Sequence, residues 1–241
     1  AAIERKISSA AVKTLFAGDS DIEGWDTDEF PDSVNEGVGG WTCKQVRIRI
    51  NKHLKKFQPE WVVLVCGEND LAYGESVDRT FQGFMNVVTK IVKKGARVVY
   101  MGTKPEPAMK RLHSKYEKYD AKIRAKAIEM AAAVDTPPPL VMVDVYPVFD
   151  VIEQDDPGAL YQDDELHLSE YGYALWTKWA KTALADDFGS CIRWEENSCA
   201  EESNREGLPT PTPTTSPGPT PTPEPPSVVI GDASVNVCPT G

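Results

Sequence analysis

Residues 61–67 read WVVLVCG, a continuous apolar run rich in β-branched side chains. Such a run predicts a strand buried on both faces, which is typical of parallel sheets. Similar runs at residues 12–18 (VKTLFAG), 96–102 (ARVVYMG) and 140–145 (LVMVDV) predict further strands, and residues 33–37 (SVNEG) predict a short one. We therefore expect a parallel sheet at the centre of the fold.

Helical patterns separate these strands. Apolar residues recur at helical spacing in residues 42–57 and 77–94, residues 109–133 are rich in Lys, Ala and Glu, and Ser169 is a candidate N-cap for a last helix. The alternation predicts an α/β fold, a three-layer α/β/α sandwich around a central parallel sheet. In such sheets ligands bind beyond the carboxyl ends of the strands, so functional residues are expected there.

Composition divides the chain of 241 residues into three parts. The patterned part predicts a domain over residues 1–206, with a core at about 12–187 and a cysteine-containing tail at 188–206. Residues 207–227 are dominated by Pro, Thr and Ser and predict a semi-rigid linker. Residues 228–241 are too few to fold alone and are interpreted as the edge of a further module.

Charge and hydropathy exclude some classes of partner. The formal net charge of −11 argues against a nucleic-acid-binding protein, which needs a basic surface to bind phosphates. No apolar run approaches the roughly 20 residues that span a bilayer, so no membrane-spanning segment is expected. Linkers rich in Pro and Thr are common in secreted proteins, which favours an extracellular location.

The five cysteines include no Cys-x-x-Cys pair and no accompanying histidine cluster, so no zinc site is predicted. Cys43 and Cys66 lie in apolar segments and are interpreted as buried thiols. Cys191 and Cys199 bracket a polar loop that a disulfide could close, whereas Cys238 has no evident partner nearby.

The ends of the predicted strands carry the groups that ester cleavage requires. Ser20 offers a hydroxyl nucleophile, His167 offers a base, and Asp164 offers a carboxylate to orient that base. The N–H groups of Ser20 and Gly40 and the amide of Asn69 are candidate donors to an oxyanion. Each residue alone could be an ordinary turn or helix-entry residue, but together they fill complementary roles.

Some neighbouring residues leave alternatives open. Asp163 lies next to Asp164 and could compete for His167, although the Asp-x-x-His spacing favours Asp164. His53 and His113 fall on basic helical segments and are interpreted as surface residues.

Four stretches, in chain order, resemble the sequence blocks of the SGNH (GDSL-type) hydrolase superfamily: GDS, NEGVGG, GEND and DELH. The resemblance implies a flavodoxin-like α/β/α fold. It also implies that Ser20 is the nucleophile, that Asp164 and His167 complete a catalytic triad, and that Gly40 and Asn69 join Ser20 in the oxyanion hole.

Longer stretches are similar to a branch related to platelet-activating-factor acetylhydrolase-like esterases: VNEGVGG, GENDLAYG, VVYMGTKPEP and LHLSEYGYALWT. Two residues depart from the family pattern. Asp21 follows Ser20 where many members carry an apolar or small residue, and Trp41 follows Gly40 where Asp or Ser is frequent. Both are expected to reshape the pocket or its charge.

The leading hypothesis is a serine esterase without metal or cofactor that cleaves short-chain or acetyl esters through an acyl-enzyme. Its substrate would be a small ester or an acetylated carbohydrate. Two alternatives are an acyltransferase, which shares the acyl-enzyme step, and a non-catalytic extracellular binding module, which the linker suggests. The sequence does not decide the natural substrate.

Overall fold

The computed structural model describes residues 12–134, 137–185, 191–193 and 236–237. The rest of the cysteine-containing tail, the Pro/Thr-rich linker and the remainder of the C-terminal segment lie outside the described residues, as do Cys199 and Cys238. The predicted domain boundaries in that region therefore stay predictions.

A parallel sheet forms the centre of the fold. In chain order its strands are β1 (Thr14–Ala17), β2 (Ser33–Asn35), β3 (Trp61–Leu64), β4 (Arg97–Met101), β5 (Leu140–Val143), β6 (Cys191–Arg193) and β7 (Asn236–Val237). The spatial order is β2-β1-β3-β4-β5-β6-β7, and every pairing is parallel except that of β6 with β7. The predicted parallel sheet is thus confirmed, and each predicted strand is present.

The strands are connected by helices, most of which pack on the sheet. The helices are α1 (Ser20–Glu23), α2 (Cys43–Phe57), α3 (Glu68–Ala72), α4 (Val77–Val92), α5 (His113–Ala132), α6 (Tyr146–Asp155) and α7 (Glu170–Leu184), with a 3₁₀ helix at Pro107–Leu112. None of the described helices is both long enough and apolar enough to cross a bilayer.

Two apolar cores cover the two faces of the sheet. Side chains of β3 alternate between them, with Val62 in the core under α2, α4 and α5 and Val63 in the core under α1, α6 and α7. Because successive strand residues point to opposite faces, a run that is apolar throughout requires a helical layer on each side. The predicted three-layer α/β/α sandwich is confirmed.

The structure differs from the sequence pattern between β4 and β5. The predicted helix over residues 109–133 begins later, as α5 at His113, because the preceding residues belong to the 3₁₀ helix, within which the backbone of Met109 departs from helical geometry at φ −119°. The short helices α1 and α3 were not predicted, since four or five residues are too few to show a periodic pattern.

Candidate active site

Ser20 lies where the first strand turns into the first helix. β1 ends at Ala17, and Gly18 passes so close to β3 that a Cβ there would stand 2.4 Å from the carbonyl oxygen of Val65. Asp19 then caps α1, accepting a hydrogen bond of 3.2 Å from the N–H of Asp21. Ser20 is therefore the first residue of α1, a position in which its own N–H is not needed by the helix.

Helix α7, which lies near the C-terminal end of the described domain in sequence, contacts this turn and holds it in place. The Tyr173 hydroxyl donates to the carbonyl oxygen of Asp21 at 3.0 Å, and the Trp25 indole N–H donates to the Thr177 hydroxyl at 2.9 Å. The Trp25 ring also packs edge-on against Trp176. These contacts fix the Ser20 segment against the helix that follows His167.

His167 is oriented by Asp164. The imidazole Nδ1 lies 2.5 Å from Asp164 Oδ2, while Asp164 Oδ1 accepts the backbone N–H groups of Leu166 and His167 at 3.0 and 2.9 Å. The hydrogen bond from the His167 side chain is the main cause that lowers the pKa of Asp164 to about 2. Asp164, rather than Asp163, is the carboxylate that reaches the histidine, as the spacing predicted.

The turn that carries this pair is itself anchored. Gln162 N–H donates to the carbonyl oxygen of His167 at 2.8 Å, and Tyr161 and Leu168 form an antiparallel bridge. The N–H of Ala108 in the 3₁₀ helix donates to the carbonyl oxygen of Glu165 at 3.1 Å. Although the Asp164 and His167 side chains are partly exposed, their backbone is tied to two neighbouring segments.

Two glycine residues precede Trp41, and Gly39 is the one that approaches Ser20. A Cβ on Gly39 would lie 3.8 Å from the Ser20 Cβ, and Gly40 adopts a positive φ of 74° that favours glycine. The side-chain amide of Asn69 donates to the carbonyl oxygen of Trp41 at 3.2 Å and to Asp19 Oδ2 at 3.3 Å. Trp41, one of the two departures from the family pattern, thus supplies an acceptor that orients Asn69.

Ser20, Asn69 and His167 line one cavity of about 50 Å³. The same cavity is lined by Asp19, Asp21, Glu68, Ala72, Lys104, Glu106, Met109, Tyr116 and Leu166. Asp164 does not line the cavity but contacts His167, whereas Gly40 is not among the lining residues. The structure therefore brings Ser20, Asn69 and His167 together near the carboxyl ends of β1 and β3, with Asp164 behind the histidine and Gly40 further from the cavity.

A buried lysine lies beneath this cavity, and the sequence did not single it out. The Lys104 ammonium contacts Asp21 Oδ2 at 2.7 Å, Glu68 Oε2 at 3.0 Å and Glu106 Oε1 at 2.6 Å. Burial acts to lower the pKa of Lys104, but the three carboxylates raise it well above its ordinary value. The same burial, with the charge of Glu106, raises the pKa of Glu68. The rule that sites lie at strand ends could have drawn attention to Lys104, because it follows β4.

The three carboxylates also have the geometry of a cation site. Within the described part of the chain, Asp21, Glu68 and Glu106 form the single acidic group whose oxygens lie close enough to share a metal ion. The Lys104 ammonium contacts one oxygen of each, so it already supplies the positive charge that such a group requires.

Neither His53 nor His113 is the exposed surface residue that the sequence suggested. His53 is half-buried beside Glu36, and burial is the main cause that lowers its pKa. His113 is also half-buried, with Nε2 at 2.9 Å from the carbonyl oxygen of Glu106 and its ring stacked on Tyr116. Both lie on helical segments whose patterns suggested a solvent face, but in the folded chain other side chains and backbone atoms contact each ring.

Cys43 and Cys66 are not free thiols, because they form a disulfide. The sequence did not predict this pairing, because apolar segments are equally compatible with two separate buried thiols. Both side chains are buried.

Residues 17–175 match the sequence profile of the GDSL-like lipase/acylhydrolase family. The chain belongs to this family. As a member of the GDSL-like acylhydrolases, it is a carboxylic ester hydrolase, which confirms the enzyme class and the family predicted from its motifs. No curated protein matches the chain in sequence.

Several solved structures share the fold. A Streptococcus pneumoniae protein described as a platelet activating factor is 22% identical, with 74% of this chain and 86% of that chain covered and a TM-score of 0.57. An acetyl-xylooligosaccharide esterase from Geobacillus is 16% identical, covering 74% and 97% at a TM-score of 0.59. A family 3 carbohydrate esterase from Clostridium thermocellum is 23% identical, covering 72% and 97% at a TM-score of 0.55.

Proposed function

We propose that the chain is a serine esterase that removes acetyl or other short acyl groups, with Ser20 as nucleophile, His167 as base and Asp164 as its orienting partner. The observation that carries the proposal is the shared cavity. Ser20, Asn69 and His167 line it together, and Asp164 holds the far nitrogen of the imidazole. The roles of these residues in a family of ester hydrolases follow from the chemistry of their side chains.

The reaction takes two steps. The Ser20 hydroxyl oxygen attacks the ester carbonyl, and its proton passes to His167 Nε2, because Nδ1 is held by Asp164. The imidazolium then protonates the departing alcohol, leaving an acyl group on Ser20. In the second step His167 takes a proton from water, the resulting hydroxide attacks the acyl group, and Ser20 regains its proton as the acid departs.

An oxyanion forms in both steps and needs hydrogen-bond donors. The N–H groups of Ser20 and Gly40 and the Asn69 amide are the proposed donors. The Gly40 N–H has no acceptor among the described residues, which leaves it available. Asn69 donates its longer hydrogen bond, of 3.3 Å, to Asp19, and we propose that the oxyanion replaces Asp19 as acceptor.

The size and polarity of the cavity favour short acyl groups. Its volume of about 50 Å³ holds only a few water molecules. Its lining includes the ion-paired side chains of Lys104, Glu68 and Glu106, and an alkyl chain placed against them gains less than it would against apolar side chains. An acetyl group fits both constraints, whereas a fatty acyl chain fits neither.

Acetylated carbohydrate is the proposed alcohol side of the substrate. The structural neighbours that act on acetyl-xylooligosaccharides and carbohydrate esters support this choice. We also propose an extracellular location, because a buried disulfide persists most readily in an oxidising compartment and because the Pro/Thr-rich linker is typical of modular secreted proteins.

The decisive experiment compares p-nitrophenyl acetate hydrolysis by the parent and by Ser20→Ala. Activity is expected to fall to the background rate while the circular dichroism spectrum is retained. Ser76→Ala is the matched control, because Ser76 caps α4 away from the cavity and should keep its turnover. Retained hydrolysis in Ser20→Ala would refute the proposal. Octanoate esters and acetylated xylan then test chain length and substrate class, and added alcohol acceptors test acyl transfer.

A further inference from the structure

The disulfide joins the two segments that carry two of the proposed oxyanion donors. Cys43 is the first residue of α2 and comes three residues after Gly40. Cys66 follows β3 and comes three residues before Asn69. The covalent bond therefore links the Gly40 segment to the Asn69 segment immediately behind the cavity.

Two hydrogen bonds run between the same two segments. The N–H of Cys43 donates to Asp70 Oδ2 at 2.9 Å, and the Asn69 amide donates to the carbonyl oxygen of Trp41 at 3.2 Å. Both bonds depend on the two segments keeping their separation. The disulfide, unlike either hydrogen bond, sets a fixed upper limit on that separation.

We propose that the Cys43–Cys66 disulfide is a positioning element of the oxyanion hole, so that breaking it lowers the catalytic rate more than substrate binding. The inference rests on the proposed roles of Gly40 and Asn69. Donors to an oxyanion must be held within about 0.5 Å of the productive geometry, and a displacement of about 1 Å can cost roughly 100-fold in rate.

The Gly40 segment needs such a restraint because little regular structure holds it. Between β2 and α2 the backbone is tied to β1, α1 and the turn between them by bonds from Glu36 N–H to Phe16, from Val38 N–H to Gly18 and from Gly39 N–H to the Glu23 carboxylate. These bonds come from the side of the nucleophile. The disulfide restrains the same segment from the side of Asn69. The Gly40 N–H is therefore held between those hydrogen bonds and the disulfide.

Tyr119 contacts both cysteines of the disulfide and so helps to hold the Cys66 end of the Asn69 segment. The Tyr119 hydroxyl donates to the carbonyl oxygen of Cys66 at 2.8 Å and lies 3.9 Å from Cys43 Sγ. Since both cysteines are buried, reductant reaches the bond only when the structure opens. A double substitution is therefore a cleaner perturbation than reduction of the native protein.

The test is the Cys43→Ala/Cys66→Ala double variant, assayed for p-nitrophenyl acetate hydrolysis at a temperature at which circular dichroism shows it folded. We expect kcat to fall about 10- to 100-fold while KM changes less than about threefold. A simple loss of stability would not produce this split. The control is Val141→Ala in β5, which opens a cavity in the opposite core and should lower the melting temperature with kcat retained.

Reduction supplies a second measurement that does not depend on the variant folding. The parent, refolded with dithiothreitol, is expected to show the same fall in kcat and to recover when the thiols are reoxidised, whereas the folded double variant should not respond to reductant. An unchanged kcat in the folded double variant, or in the reduced parent, overturns the inference and leaves the proposed function intact. Hydrolysis retained by Ser20→Ala would instead refute the proposed function itself.

Discussion

The ammonium of Lys104 lies 2.7 Å from the carboxylate of Asp21, the residue directly after Ser20. This contact accounts for the acidic side chain that departs from the family pattern. Asp21 does not face solvent beside Ser20. It lies in a buried cluster with Glu68, the residue before Asn69, so one lysine connects the helix of the proposed nucleophile to the segment that carries a proposed oxyanion donor.

Lys104→Met is expected to destabilise the protein by about 3–5 kcal/mol, because it leaves buried carboxylates without their cation. Urea unfolding measures the loss. The matched control is Lys122→Met, which breaks the partly exposed pair with Asp78 and should cost at most about 1 kcal/mol.

A compensating change sharpens this prediction. Lys104→Met combined with Glu106→Gln removes one carboxylate with the lysine, so part of the lost stability should return. If Lys104→Met were as stable as Lys122→Met, the cluster would contribute nothing measurable to folding.

Asp164→Asn is expected to lower kcat for p-nitrophenyl acetate roughly 10²–10⁴-fold, because an amide cannot stabilise the imidazolium that forms on His167. The fold should be unaffected, since Asp164 is largely exposed. Because its pKa of about 2 keeps Asp164 ionised in the parent, no acidic loss of activity near neutral pH should come from this group. Asp163→Asn is the control, and equal losses in the two variants would contradict the assignment of Asp164.

Gly40→Ala tests the proposed oxyanion donor at Gly40. Its φ of 74° disfavours alanine, so a loss of about 1 kcal/mol in stability is expected together with a fall in kcat of roughly tenfold or more. The control is Gly95→Ala. Gly95, just beyond α4, has a similar φ of 83°, and there is open space around the added methyl group. This variant should lose similar stability but keep full turnover, so an equal effect of both variants on kcat would exclude a special role for Gly40.

Asp120 makes folding stability depend on pH. It is buried among Tyr100 and Thr103, and burial is the main cause that raises its pKa to about 7. Because the folded state holds this proton more tightly than the unfolded state, Asp120 lowers stability progressively as pH rises from about 4 to about 7, by roughly 4 kcal/mol. Asp120→Asn should flatten the pH dependence of the unfolding free energy in that window. The exposed variant Asp28→Asn should keep the parent's slope, and an unchanged slope in Asp120→Asn would contradict the prediction.

The α/β sandwich could be predicted because its strands are buried on both faces, and such strands are apolar without interruption. The positions of Ser20 and Asn69 followed from the same rule, since parallel strands bring their carboxyl ends to one edge. Helices α2 and α4 were predicted from periodic apolar residues, and α7 from its candidate cap Ser169, which does accept a hydrogen bond at the start of α7. The family and the esterase class are confirmed, while the catalytic roles stay predictions.

The contacts that support the site could not be predicted in the same way. Lys104 contacts Asp21 and Glu68 because the ends of β1, β3 and β4 lie side by side in the sheet. No local sequence pattern predicts this contact. Cys43 and Cys66 were equally compatible with separate thiols, since an apolar context does not specify a partner. His113 was placed on the surface because its segment is rich in lysine, but its ring is held by the backbone of Glu106.

The hydrogen bonds between α7 and the Ser20 turn have a consequence for folding. The serine and the histidine come from opposite ends of the described domain, so they meet only after contacts of large sequence separation have formed. A chain that has formed only its first strands already contains the Ser20 hydroxyl, but His167 is not yet beside it. Hydrolytic competence should therefore arise late, when α7 docks, and recovery of ester turnover during refolding would follow that docking step rather than assembly of the sheet.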